Sequence, residues 1–263
     1  MLEPRPSSAL VVLPSRDPGG SAGSERRRSA PWKWQLANAV RSASELSARV
    51  QLTPEELAGA ERSERQGFPF GITPYYLSLV DPLDAACPIR RQVVPHRLEG
   101  ETTRGDLVDP LGEEAHEVAP DLVQRYPDRA LVLATDRCAV YCRFCTRSRM
   151  VGGGSGTRSL EHLGPAFDYL AAHPEIRDVI VSGGDPLTLA TERLVQVVAG
   201  VRAIESIETI RLAPRVPVVL PQRITGELLR ALAPLHPLWV MTHFNHPKEL
   251  TPIACRGLER LAN

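Results

Sequence analysis

Four short apolar, partly β-branched runs, at 130–134, 178–182, 209–213 and 238–242, alternate with segments of helical spacing, and this alternation limits the fold more than any other feature. Leu160, Leu163, Phe167 and Leu170 recur at helical intervals, as do Leu194, Val197, Val198 and Val201, and then Leu228, Leu229 and Leu232. A further helix is expected after Thr251 as N-cap and Pro252 at the first helical position, with Ile253, Leu258 and Leu261 on one side. Strands separated by helices of this length pair in parallel, and a parallel sheet covered by helices closes into a barrel or a doubly wound layer. The class is therefore α/β. In a barrel the C-terminal ends of all strands share one face, which carries the chemistry. The segments that follow the runs then converge: a cysteine loop after the first, Gly183-Gly184-Asp185 after the second, Arg215 after the third and His243 after the fourth.

Three of the chain's five cysteines, Cys138, Cys142 and Cys145, fall within eight residues of that first loop. Soft thiolates select zinc, copper(I) or iron–sulfur clusters. A structural zinc site wants four ligands, usually as two pairs, and no partner pair lies elsewhere in the chain. Three thiolates on a four-iron cluster leave one iron open to bind a substrate. Such a loop is a reaction centre rather than an electron wire.

The spacing Cys-x-x-x-Cys-x-x-Cys, with Phe144 before the last cysteine, resembles the signature of radical S-adenosylmethionine (SAM) enzymes. Ile72-Thr-Pro-Tyr-Tyr-Leu-Ser-Leu79, Cys145-Thr-Arg147, Ser182-Gly-Gly-Asp185, Val218-Val-Leu-Pro-Gln-Arg-Ile-Thr225 and Thr242-His-Phe-Asn-His-Pro247 resemble, in that order, segments of the lysine 2,3-aminomutase family. The resemblance runs from about Trp32 to the last residue. It implies a partial (βα) parallel barrel of the radical SAM type over 129–263, preceded by a helical and extended accessory region over 31–128. It also implies a PLP-dependent 2,3-aminomutase, with L-lysine as first choice of substrate; glutamate or a protein-bound lysine of a translation factor are the alternatives.

By that resemblance Cys138, Cys142 and Cys145 ligate a [4Fe-4S] cluster whose open iron chelates SAM, cleaved on reduction to a 5′-deoxyadenosyl radical. Phe144 would pack near the adenine, Gly183, Gly184 and Asp185 would receive the methionine amino group, and His243 would touch the same ligand. On their own, two glycines and an aspartate read as a turn, and a lone histidine as structural. Arg147 has a planar fork suited to a carboxylate, and in the family the matching arginine holds the substrate's; a solvated or cluster-neutralising arginine is the plainer reading, since Arg143 and Arg149 share the loop. Arg125, in Arg125-Tyr-Pro-Asp-Arg129, matches the arginine on the phosphate of pyridoxal 5′-phosphate (PLP). Taken alone it reads as half of a surface ion pair.

Balanced charge, 31 basic against 31 acidic residues, argues against a phosphate-backbone partner, so no nucleic acid is expected. No apolar run approaches the roughly 18 residues of a membrane-spanning helix. Five cysteines, an odd number with three clustered, fit a reducing compartment, the cytoplasm. The expected partners are an amino acid substrate and an electron donor such as flavodoxin or ferredoxin, and a homo-oligomer is compatible with the reading.

Residues 1–30, rich in Pro, Ser, Gly and Arg, read as a disordered tail. Beyond them Ser42 with Glu45, and Thr53 with Glu56, have capping-box spacing, so two short helices should precede Phe68; the chain should then run extended and turning to about Gly112. Tyr75 and Tyr76 read as packing, and Cys87 as an inert small hydrophobe. One departure from the family stands out. The only lysines are Lys33 and Lys248, neither in a glycine-rich context, so no PLP-binding lysine is assigned and no catalytic residue is named. The sequence also ends in the helix after the fourth strand, where the family's barrel continues, so a truncated chain is expected; a non-catalytic cluster- and SAM-binding fragment is the competing reading.

Overall fold

A computed structural model describes residues 29–153 and 156–263. The expected tail falls, except for its last two residues, outside the described residues. Three short helices open the described chain: α1 (Trp32–Ala37), α2 (Ala43–Ser47) and α3 (Pro54–Arg65). Thr53 caps α3 with a complete capping box, its hydroxyl accepting from Glu56 N while the Glu56 carboxylate accepts from Thr53 N, and Pro54 occupies the first turn. At α2 the Ser42 hydroxyl accepts from Glu45 N, and Glu45 reaches back to the amide of Arg41. The stretch expected to be extended holds two single-turn helices, α4 (Pro74–Leu77), capped by Thr73, and α5 (Arg90–Val93).

Among the described residues, six strands form one sheet in sequence order: β1 (Glu117–Ala119), β2 (Leu122–Tyr126), β3 (Arg129–Thr135), β4 (Asp178–Gly183), β5 (Thr209–Leu212) and β6 (Leu238–Val240). β3 to β6 are parallel, matching the four expected runs, and the sheet does not close on itself. The antiparallel hairpin β1–β2 extends it on the other side and was not expected from the sequence. Its turn places Asp121 at φ 58°. Connecting the parallel strands are α6 (Leu160–Ala172), α7 (Thr191–Arg202), and α8 (Val216–Val219) with α9 (Gly226–Leu232); α10 (Pro252–Ala262) follows β6 behind the expected Thr251 cap.

Register separates the two faces of the sheet. Ala130, Val179, Ile210 and Leu238 stand in one row, and Val132, Val181, Leu212 and Val240 in the next. Except for Val240 at the edge, these rows share a core with Leu163, Ala166 and Leu170 of α6 and with Leu194, Val197, Val198 and Val201 of α7. Side chains alternate across a strand, so the intervening row, Leu131, Ile180, Arg211 and Trp239, faces the other way. That face is partly open, with Trp239 60% exposed. On it Asp178 accepts from Arg129 Nε at 2.8 Å and from Arg211 Nε at 2.9 Å.

The N-terminal region packs into the same core. Tyr75, Tyr76, Ile72 and Ile89 are wholly buried in the cluster that holds the strand residues, and Cys87 lies there as the small hydrophobe expected. Thr73 Oγ1 donates to Val219 O at 2.9 Å, and Tyr75 Oη meets Thr251 Oγ1 at 2.6 Å. Among the described residues no helix is long and apolar enough to cross a membrane.

Candidate functional site at the strand ends

The loop after β3 is clamped before it reaches its first cysteine. Gly184 N donates to Thr135 O at 2.6 Å and Asp185 N to Arg137 O at 2.8 Å, so the end of β4 pairs directly with the start of the cysteine loop. This close approach is what the two glycines permit. Gly183 has φ +112°, and a Cβ there would lie 2.2 Å from Thr135 O; one on Gly184 would lie 2.3 Å from Arg137 O. Farther along, Tyr141 N donates to Gly71 O at 3.2 Å and Arg143 N to Gln92 O at 2.8 Å. The Arg143 guanidinium reaches Pro69 O at 2.8 Å, pairs with Glu99 and lies over the Phe68 ring.

Cys138, Cys142 and Cys145 are free thiols of intermediate exposure. Burial pushes all three up from the ordinary thiol value, and the charges of Cys142 and Cys145 raise Cys138 further, which places the three sulfurs in one electrostatic neighbourhood. Among the described residues no three His, Cys, Asp or Glu side chains converge tightly enough to hold a single metal ion. The three thiols fit an iron–sulfur cluster: they are soft ligands whose thiolate form burial disfavours until a cationic centre binds.

Arg215, which leaves β5 toward this loop, is 8% exposed. Its Nη1 donates to Cys142 Sγ, and its Nη2 to Tyr76 Oη at 3.1 Å, Glu249 Oε1 at 3.0 Å and the Gln92 side-chain oxygen. The guanidinium also lies 5.1 Å from the centre of the Phe144 ring. Phe144, itself 49% exposed, meets His243 edge to face with centroids 6.3 Å apart. Partial burial and the Arg215 cation hold the His243 imidazole below its usual value. Segments after β3, β5 and β6 therefore meet, as the strand-end argument required.

Asp185 is placed differently from a carboxylate open to a ligand. Its Oδ1 accepts from Leu187 N at 3.0 Å and its Oδ2 from Arg215 N and Val216 N, both at 2.7 Å. It thus ties the loop after β4 to the loop after β5. Burial pushes it up to about 6, against the pull of these three N–H donors. The sign follows from the unfolded value of 3.8: between there and about 6 the folded chain binds a proton that the unfolded chain lacks. This group's contribution, about 3 kcal/mol, is thus full below the lower value and lost as pH rises through the upper one. Asp185→Asn should flatten the pH dependence of the denaturation midpoint between pH 4 and 7; an unchanged slope would assign it elsewhere.

The open face of the sheet borders a cavity of about 320 Å³ lined by Leu111, Glu113, Arg125, Arg129, Arg147 and Met241, among others. Arg147 lines it, but its fork holds Glu113: Nε is 2.8 Å from Oε1 and Nη2 2.7 Å from the same oxygen. Glu113 is 6% exposed and also meets Arg149, which reaches Asp109 and Glu114. Arg125 is exposed in β2, forms no ion pair among the described residues, and donates from Nη1 to Leu111 O at 3.0 Å. Neither lysine lines the cavity; Lys33 lies over Trp32 and Lys248 in the turn Pro247–Glu249. The lining thus fits a phosphate or carboxylate near Arg125 and Arg147 but offers no imine anchor for PLP, and no step of a reaction is assigned to that cofactor.

Sequence reasoning did not find Tyr76, Gln92, Glu113 or Glu249. Tyr76 read as packing, and it is wholly buried, yet its hydroxyl donates to Glu249 Oε1 at 2.5 Å. Neither Glu113 nor Glu249 signals its arginine in the sequence, since that partner lies 34 residues away in each case.

The radical SAM superfamily model matches residues 132–260. The chain is 44% identical over 232 residues to the L-lysine 2,3-aminomutase of Clostridium subterminale, covering 88% of this chain and 56% of that protein. It is 40% identical over 232 residues to the glutamate 2,3-aminomutase of Clostridioides difficile strain 630, covering 88% and 54%. To the L-lysine 2,3-aminomutase of Escherichia coli K12 it is 33% identical over 231 residues, covering 88% and 67%. It therefore spans about half the length of several of the curated relatives it matches. An open sheet of parallel strands, three thiols at its C-terminal edge and relatives of one kind along 88% of its length lead to one conclusion: the chain belongs to the lysine 2,3-aminomutase family of the radical SAM superfamily.

Proposed function

We propose that this chain forms the cluster- and SAM-binding part of an amino acid 2,3-aminomutase, an isomerase moving an amino group between C2 and C3, with L-lysine as substrate. The observation that carries the reading is the meeting of Cys142, Phe144, Arg215 and His243 at the ends of parallel strands. A bound cluster with SAM would supply hydrogen abstraction from unactivated carbon. The chain's own residues hold and shield: Cys138, Cys142 and Cys145 ligate, the Gly183 and Gly184 backbone and His243 line the SAM site, and Phe144 covers the adenine. Arg147 takes the substrate carboxylate by exchanging Glu113 out of its fork, and Arg125 takes the PLP phosphate in the whole protein. The setting is the cytoplasm, with flavodoxin or ferredoxin as donor.

Anaerobic reconstitution with iron and sulfide tests this. Close to four irons per chain, a spectrum that responds to SAM, and 5′-deoxyadenosine released on reduction are the expected results. Alanine at any one of Cys138, Cys142 or Cys145 should abolish stable cluster assembly. A cluster silent to SAM would instead identify a non-catalytic fragment. With the whole protein, L-lysine and L-glutamate assayed side by side decide the substrate.

A further inference from the structure

Burying a guanidinium is costly, and Arg215 is buried in a way that an ion pair alone does not explain. Glu249, 0% exposed, neutralises it, but buried pairs are weak contributors to stability, since well-packed apolar replacements often do as well. What the arrangement achieves is direction. Glu249 is itself fixed by Tyr76 Oη at 2.5 Å, Asn245 N at 2.6 Å and His246 N at 3.0 Å. Asn245 Nδ2 donates to the Gln92 oxygen at 3.0 Å, so the second acceptor of the fork is held as well. Asp185 grips the Arg215 backbone amide at 2.7 Å. With one end of the fork pinned by these groups, the other end, Nη1, is aimed at Cys142 Sγ.

We propose that Arg215 is a positioning residue that sets the reduction potential of the cluster, its Nη1 donating to the sulfur of Cys142 while Tyr76, Gln92 and Glu249 hold the fork in place. The proposal rests on Cys142 being a cluster ligand. One electron enters the cluster from an external one-electron reductant, and no proton or bond is exchanged with Arg215. The added negative charge spreads onto the thiolate sulfurs, so a cationic donor fixed on one of them favours the reduced state and raises the potential. A rigid fork suits this work better than an ammonium, because it spans sulfur and carboxylate at once.

Two variants are compared with the wild type. Arg215→Lys keeps a cation for Glu249, and Arg215→Met combined with Glu249→Gln removes both buried charges. Each is reconstituted with iron and sulfide, then titrated with dithionite under electron paramagnetic resonance, without SAM or substrate. Iron content should match the wild type in both. The paired variant should show a roughly tenfold loss in the equilibrium constant for one-electron reduction, a midpoint about 59 mV more negative, with the lysine variant between. Variants that hold the cluster at the wild-type potential overturn the role of Arg215 and leave the ligation intact. A wild type that binds no iron overturns the ligation itself, and the proposal with it. If circular dichroism shows the paired variant unfolded, the lysine variant decides alone.

Discussion

Arg90→Ala is expected to destabilise the folded chain by about 3–5 kcal/mol, the cost of leaving a buried charge unpaired. The Arg90 side chain is 0% exposed and donates from Nε to Glu56 Oε1 at 2.8 Å, from Nη2 to Glu56 Oε2 at 2.5 Å and to Gln51 O at 2.6 Å, and from Nη1 to Pro82 O at 3.2 Å. It therefore joins α3, the turn before it and the segment around Pro82 at one point. Burial disfavours the Glu56 carboxylate, yet Arg90 and the Thr53 amide outweigh this and hold it below the usual carboxylate value. Removing the arginine leaves that carboxylate, 8% exposed, with only its cap amide. Urea denaturation measures the loss. Arg90→Met with Glu56→Gln, which removes both charges, should recover much of it, and a single variant within about 1 kcal/mol of wild type would show the pair to be dispensable.

Gly183→Ala and Gly184→Ala should each cost on the order of 3 kcal/mol, and each should also lower the iron bound on reconstitution. At Gly183 a side chain meets both a φ of +112° and a carbonyl oxygen 2.2 Å away; at Gly184 a carbonyl lies 2.3 Å away. Both obstacles are backbone of 135–137, which cannot yield without moving the loop that carries Cys138. Gly164→Ala in α6 is the control: nothing lies within 4 Å of its added Cβ, and a helix interior gains up to about 1 kcal/mol from alanine. Normal iron loading in the Gly183 and Gly184 variants would mean that the cysteine loop is positioned from elsewhere.

The parallel strands were legible because each is an apolar run whose neighbour in the sheet is another such run, and because Thr53 and Thr251 announce their helices with a cap and a proline. Leu122 to Tyr126 was harder. It is only half buried, and its turn relies on Asp121 at a positive φ rather than on a glycine. Gly183 and Gly184 were picked out for closeness to a ligand, and the structure adds a nearer reason in the backbone of the cysteine loop. Asp185 likewise belongs first to the amides of Leu187, Arg215 and Val216. Such ties have no local signature: a carboxylate announces its charge in a sequence, not which amide it will meet.

The groups gathered around Cys142 come from Tyr76, Gln92, Arg215 and Glu249, with Tyr76 and Glu249 separated by 173 positions. Contacts of such long range carry a loop-closure cost that is met only once the intervening chain has collapsed. A nascent chain that has emerged as far as the cysteine loop has three thiols but neither the guanidinium nor its carboxylate clamp. The hydrogen-bonded surroundings of Cys142 are therefore assembled only once the polypeptide has been made through Glu249 and the segments around Tyr76 and Glu249 have come together.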